Sequence, residues 1–172
     1  NENSPLTLFA KNYGTSITSV KNLDILYRIG IDLNIIDLQD SEEYLWLKSL
    51  IWPEQIIRKE NLEKARAIHR QYSKLLLTGD FRELIPPLFD THEFKGSQII
   101  IFHTHVANQF PAKLKTELLT MLQQLSHIQS IYHIYNNMDD ADLYVDYIAG
   151  GVIQTVKSLK DTDGHGKFFS WN

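Results

Sequence analysis

The sequence predicts an α/β protein with a mixed sheet, mainly parallel, an antiparallel C-terminal edge and helices on both faces. Three observations lead there. Apolar runs ending in polar residues recur at Arg28-Ile29-Gly30-Ile31-Asp32, Leu75-Leu76-Leu77-Thr78-Gly79-Asp80 and Gln98-Ile99-Ile100-Ile101-Phe102-His103-Thr104-His105. Stretches with helical spacing separate them. After the last helical stretch, strand-like runs follow one another across short turns. Such sheets bind ligands outside the carboxyl ends of their strands, so the polar run-ends mark where a site is expected.

Residues 1–22 are polar and turn-rich, with apolar patches at Leu6–Ala10 and Ile17–Val20. They are expected to form an arm or an extra strand ahead of a single α/β domain over residues 23–172. Tyr27–Leu33 is the first predicted strand. Asp40-Ser41-Glu42-Glu43 has the form of a capping box, in which Asp40 accepts amide hydrogens and Glu43 reaches back. A helix over Tyr44–Trp52 follows. Pro53 cannot continue that helix but suits the first turn of another. The second helix runs through Tyr72, with Leu62, Ala65, Ile68 and Tyr72 on one face.

Leu75–Leu77 is short and continuously apolar, as in a strand covered on both faces. Asp80–Phe89 is helical in pattern but broken at Pro86-Pro87. Ser97–His103, with three Ile and a Phe, is the strongest strand. Pro111 opens a helix whose Leu114, Leu118, Met121, Leu122 and Leu125 form one stripe. Ile128–Tyr135, Leu143–Ile148 and Val152–Leu159 read as strands, with Gly150-Gly151 turning between the last two. Asp163-Gly164 turns again before Phe168-Phe169-Ser170-Trp171.

Composition narrows the function classes. Of 172 residues, 43% are hydrophobic and 22% charged, the profile of a soluble globular domain. The net charge of −4 and scattered Lys and Arg give no field for holding phosphates, so there is no specific nucleic-acid signal. With no cysteine there is no disulfide and no zinc–thiolate site, which points to a reducing cytoplasm. Apolar runs fall short of the roughly 20 residues that span a bilayer, so no membrane partner is expected. The opening residues, Asn1-Glu2-Asn3-Ser4-Pro5, lack the pattern of a signal peptide.

Several residues are candidates for chemistry. Asp32, near a strand end, is placed to accept from ribose hydroxyls, or else to cap a loop amide. Asp37 follows it in the loop. Asp80 comes directly after Gly79, either beside a ligand or as the N-cap of the next helix with Glu83 at its third position. His103 and His105 would face the same side of a continuing strand, which suits a proton-transfer pair or shared metal ligation. Two histidines do not make a metal site without a carboxylate, so no metal ligand set is assigned. Glu54 and Arg58 are four apart and can pair on a helix face. His165, between Gly164 and Gly166, is placed on a turn that can present an imidazole over a pocket. No G-x-G-x-x-G or G-x-x-x-x-G-K-[ST] loop is present.

Five segments, taken together, resemble an uncharacterised bacterial protein family. They are Arg28–Asn34, Trp46–Gln55 with Arg58, Gly79-Asp80, Phe102-His103-Thr104, and His165-Gly166 with Trp171. The resemblance covers residues 24–172, and its Trp52-Pro53-Glu54-Gln55 core is the most distinctive part. Members are similar in fold to class I S-adenosylmethionine-dependent methyltransferases, which are Rossmann-like. The resemblance implies Asp32 at the cofactor ribose, Asp80 on the adenine side, and His103 at the substrate or a proton. Longer members carry a Gly-x-Ser-Ala-Gly-type loop, which Tyr13-Gly14-Thr15-Ser16 does not reproduce. A Rossmann-like domain lacking its first glycine-loop βα unit is therefore expected, truncated relative to those members.

Two functions from different classes follow. One is a methyltransferase-like protein with an incomplete S-adenosylmethionine site, inactive alone. The other is a non-catalytic interaction module, a homodimer or the partner of a missing N-terminal portion, because an absent βα unit leaves an open sheet edge. A hydrolase using metal at His103 or His105 is a third. All three expect Asp32, Asp80 and His103 to converge along one rim of a common sheet.

Overall fold

The computed structural model describes residues 4–17, 24–69, 75–91, 94–160 and 162–172. Contacts divide the chain into two units, residues 1–8 with 23–81 and residues 9–22 with 82–172. In chain order the elements are β1 (Lys11–Asn12), β2 (Ile29–Asp32), α1 (Ser41–Ser49), α2 (Ile56–His69), β3 (Leu75–Thr78), α3 (Phe81–Phe89), β4 (Ile99–Thr104), α4 (Ala112–Leu125), β5 (Ile131–Asn136), β6 (Leu143–Ala149), β7 (Val152–Leu159) and β8 (Phe168–Phe169). A short 3-10 turn, Val106–Gln109, follows β4. The protein is thus a mixed α/β structure with parallel and antiparallel strands.

In the first unit, β2 and β3 pair in parallel, with Ile29 opposite Leu75 and Asp32 opposite Thr78. The two expected helices lie between these strands in sequence. Asp40 caps α1 as expected, its Oδ1 accepting from Glu42 N at 2.9 Å and Glu43 N at 3.0 Å. The return half of the box differs. Glu43 Oε2 accepts the amide of Asp37, because Asp40 N is already bonded to Asp37 O at 3.0 Å. Buried Tyr44 is the hub of this unit. The Arg66 guanidinium lies 4.1 Å from its ring centroid, and Arg66 Nε donates to Leu38 O at 2.6 Å. Lys48 and Glu63 tie α1 to α2 at 2.6 Å. Leu62, Ala65 and Ile68 share a half-buried face; Tyr72, assigned to the same face, lies outside the described residues. Leu75 and Leu76 are exposed, so the expectation of a strand covered on both faces is corrected.

In the second unit, four strands form one sheet in the order β4-β5-β6-β7. β4 and β5 are parallel, and the two remaining pairings are antiparallel. The antiparallel C-terminal edge is therefore present. A single, mainly parallel sheet is not: among the described residues β2 and β3 form a sheet of their own. α4 packs against β6, and its stripe supplies buried Leu118, Leu122 and Leu125 beside Ile131, Ile148 and Leu159. Gly150 and Gly151, with φ of 56° and 80°, make the two-residue turn that right-handed strand twist favours between β6 and β7. α3 continues through Pro86 and Pro87 rather than breaking there. Pro86 and Pro87 cannot donate the i→i−4 bonds to the carbonyls of Arg82 and Glu83, so two ladder bonds inside this nine-residue helix are not made. In the N-terminal segment β1 pairs in parallel with β8, Lys11 opposite Phe168; the expected patch at Ile17–Val20 falls mostly outside the described residues. No described helix is long and apolar enough to cross a membrane.

Candidate functional site

One face of the four-stranded sheet carries polar side chains in rows. Successive residues of a strand point to opposite faces, so the register puts His103, His133, Tyr135, Asp146, Tyr144 and Thr155 on a common side. His103 Nε2 and His133 Nε2 are 3.0 Å apart. The His133 ring stacks on Tyr135 with centroids 4.5 Å apart, and Tyr135 stacks on Tyr144 at 5.4 Å. Thr155 Oγ1 donates to Asp146 Oδ1 at 2.7 Å, and Tyr144 OH donates to Asp140 Oδ2 at 2.7 Å.

Burial sets the electrostatics of this row. It holds the His103 imidazole below the ordinary histidine range. For His133, which is 0% exposed, burial and then the neighbouring His103 push the pKa down to about 3. Both rings are therefore neutral at pH 7. Burial, with the Asp146 carboxylate beside it, raises the Tyr135 phenol well above its ordinary value. The hydrogen bond to Asp140 pushes Tyr144 up to about 12.

A second cluster sits where β4 and β5 end. Thr104 and Asn136 are the last register pair. The next residue of each strand, His105 at φ 61° and Asn137 at φ 53°, is left-handed, which costs a non-glycine residue roughly 1 kcal/mol. His105 therefore does not continue the strand, and it does not share a side with His103 as expected. Its Nε2 donates instead to Gly164 O at 2.5 Å, and its ring stacks on His165 with centroids 4.9 Å apart. A Cβ at Gly164 would lie 3.0 Å from His105 Cε1 and 3.3 Å from Asn137 Nδ2, so a side chain there would need both neighbours to give by a few tenths of an ångström. Asp163 anchors this turn by accepting from His165 N at 3.0 Å and Lys167 N at 3.1 Å. The Lys167 amide, seconded by His165, holds the Asp163 carboxyl below the usual range. Asn136 Oδ1 and Asn137 Nδ2, an acceptor and a donor on adjacent residues, are buried without a partner.

In the first unit, Asp32 ends β2, where its Oδ1 accepts from Asn34 N at 2.9 Å and its carbonyl accepts from Gly79 N at 2.9 Å. Asn34 in turn lines a cavity of about 310 Å³ with Ile36, Glu42, Glu43 and Trp46. Asp37 closes its own turn, accepting from Gln39 N at 2.8 Å. Asp80 immediately precedes α3. Glu54 lies ahead of α2, which starts at Ile56, so it and Arg58 are not neighbours on a helix face. Asp32 and Asp80 thus belong to one unit and His103 to the other, and their strands pair in separate sheets. The expected convergence along the rim of a common sheet is corrected to that extent.

The sequence reasoning found His103, His105 and His165 but missed His133, Tyr135, Asp146 and the asparagine pair. The available signal was the period-2 alternation of Ile131-Tyr132-His133-Ile134-Tyr135, which sets a histidine on the same side as an inward isoleucine. Among the described residues no three His, Asp or Glu side chains are grouped to hold a metal ion.

A family model described as an uncharacterized protein conserved in bacteria (DUF2332) matches residues 1–171. No curated protein and no solved structure matches the chain.

Proposed function

The chain belongs to this bacterial family, and from that premise we propose a methyltransferase-like protein of Rossmann-like build whose S-adenosylmethionine site is incomplete. One observation carries the proposal. The cavity lined by Asn34, Ile36, Glu42, Glu43 and Trp46 opens just past the carboxyl end of β2, a strand paired in parallel with β3. Parallel α/β sheets take nucleotides at that position, and the depression there, about 310 Å³ and widely open to solvent, leaves the Trp46 indole accessible to a base.

The residues present fit only half of the cofactor. Trp46 offers an indole face to a base, and exposed Asp32 offers carboxylate oxygen to ribose hydroxyls. Asp80, at the start of the next helix of the same unit, belongs to the adenine side in this proposal. For the methionine half, the usual holder is a glycine-rich loop after the first strand, and none stands among the 172 residues. No methyl-transfer step is therefore assigned to the chain alone.

Calorimetric titration of the full chain tests this. Adenosine and S-adenosylhomocysteine are expected to bind with similar, weak affinity, since the amino-acid half finds no holder. Trp46→Ala is expected to weaken both about tenfold, the loss of one base-stacking contact of roughly 1.4 kcal/mol. No heat and no thermal shift with millimolar S-adenosylmethionine, S-adenosylhomocysteine or adenosine would remove the proposal.

A second function is favoured by a different observation. Phe102 is 74% exposed and Ile100 50% exposed on one face of β4, which stands at the edge of its sheet. Exposed apolar side chains beside an open strand edge suit self-association.

A further inference from the structure

His103 and His133 face each other Nε2 to Nε2 across 3.0 Å. Only one of two neutral imidazoles can donate in that contact. The donor ring then has a bare Nδ1, and the acceptor ring carries its proton on Nδ1. Both Nδ1 atoms are buried without a partner. An added proton keeps the shared bond but leaves two buried Nδ1–H groups with no acceptor, and it puts a positive charge on rings whose Nδ1 atoms are shut off from water.

The surrounding groups offer that charge little relief. On β5, Tyr135 stacks on both imidazoles, at 4.5 Å from His133 and 5.8 Å from His103, and brings no charge. On β6, Asp146 is the register partner of His133, but it is committed to the Thr155 hydroxyl of β7 at 2.7 Å and stands beside the Tyr135 phenol. Tyr144 is bonded to Asp140. On α4, which packs against β6, Lys115 is bonded to Met138 O and Asp139. Glu117 of the same helix is paired with Arg82 and Lys113.

The pair also joins two strands of unequal security. Among the described residues β5 pairs with a strand on each side, whereas β4, at the end of the order, pairs with β5 alone. We propose that the His103–His133 pair is an acid-sensitive latch, which holds the edge strand β4 on the sheet and lets it go when the pair takes up a proton.

The direction follows from linkage. In the folded unit both imidazoles resist protonation, while a released histidine takes its proton near its ordinary value of 6.5. The latch is fully closed above that pH and weakens as pH falls below it. With one proton taken up per opening, the population of the open form rises about tenfold per pH unit.

Amide hydrogen exchange of the full chain between pH 7.5 and 4.5, corrected for intrinsic exchange rates, reads this directly. Protection of Ile99–Thr104 is expected to fall about tenfold per unit below pH 6.5 while β6 and β7 stay protected. In His103→Leu the β4 protection is expected to be flat over the same range. Should that variant not fold, imidazole NMR titration of the wild-type chain decides, with His133 expected to stay neutral at pH 5.5 and His103 to titrate below its ordinary value in the closed form. Protection of β4 that does not change with pH, or imidazoles that titrate independently near 6.5, would overturn the latch. The result does not depend on whether an adenosyl ligand binds.

Discussion

An added methyl group at Gly14 has no room. The ideal Cβ position lands on the backbone of Trp171, in contact with its N, C and O atoms. The close approach is held by Thr15 N donating to Trp171 O at 2.7 Å and by Asn12 Oδ1, which accepts from Gly14 N at 2.9 Å and Trp171 N at 3.1 Å. Gly14→Ala must therefore push two backbone segments apart, an overpacking cost of about 2–3 kcal/mol. Gly166, at φ 75° with open space around its Cβ position, bears only conformational strain, so Gly166→Ala is expected to cost about 1 kcal/mol. Urea unfolding of the two variants checks the difference, and equal losses would refute the packing account. In the sequence Gly14 was visible only as part of a failed match to a cofactor loop. Its actual role depends on Trp171, 157 residues later in the numbering of the chain, and no local pattern reports such an approach. His133 was hidden for a related reason: in an otherwise apolar strand a lone histidine passes for a surface residue until the register supplies His103 as its neighbour.

Secondary-structure elements were readable where local chemistry decides them. Asp40 ahead of Ser41 is a strong N-cap signal, and the structure gives Asp40 the two amide bonds that define α1. Asp40→Ala is expected to destabilise the first unit by about 1 kcal/mol, while Asp40→Asn keeps most of that stability. Thermal denaturation followed by circular dichroism measures both, and an unchanged midpoint for Asp40→Ala would count against the cap. Helix α4 and the β6–β7 hairpin were equally plain, from a leucine stripe and a glycine pair. Misjudged features were those set by neighbours. The prolines of α3 do not break it, although the helix runs through them without their two N–H donors. Leu75–Leu77 looks like a doubly covered strand by composition, yet among the described residues β3 pairs with β2 alone and two of its leucines are exposed. Pairing between distant strands leaves no periodic trace in either, so the division into two sheets could not be read from the runs themselves.

At the scale of the whole molecule, apolar surface is unevenly placed. Phe102 at 74% exposure stands out within β4, since Ile99, Ile101 and His103 on the opposite side of that strand are half-buried. A phenylalanine left in water forgoes roughly 2 kcal/mol of transfer free energy. Burying it against a second copy of the chain recovers that term at both ends of a two-fold contact. The −4 net charge opposes association only weakly at ordinary salt, where screening acts within about 8 Å. If the interaction-module function holds, sedimentation equilibrium is expected to show a monomer–dimer equilibrium in the micromolar range. Phe102→Ser should then weaken the dimer by at least a hundredfold, because the substitution removes the side chain twice. Thermal unfolding should be unchanged in the same variant, since an outward side chain on an edge strand supports little within its own unit. A wild-type chain that stays monomeric up to about 100 µM would eliminate self-association. A dimer insensitive to Phe102→Ser would instead move the contact away from β4.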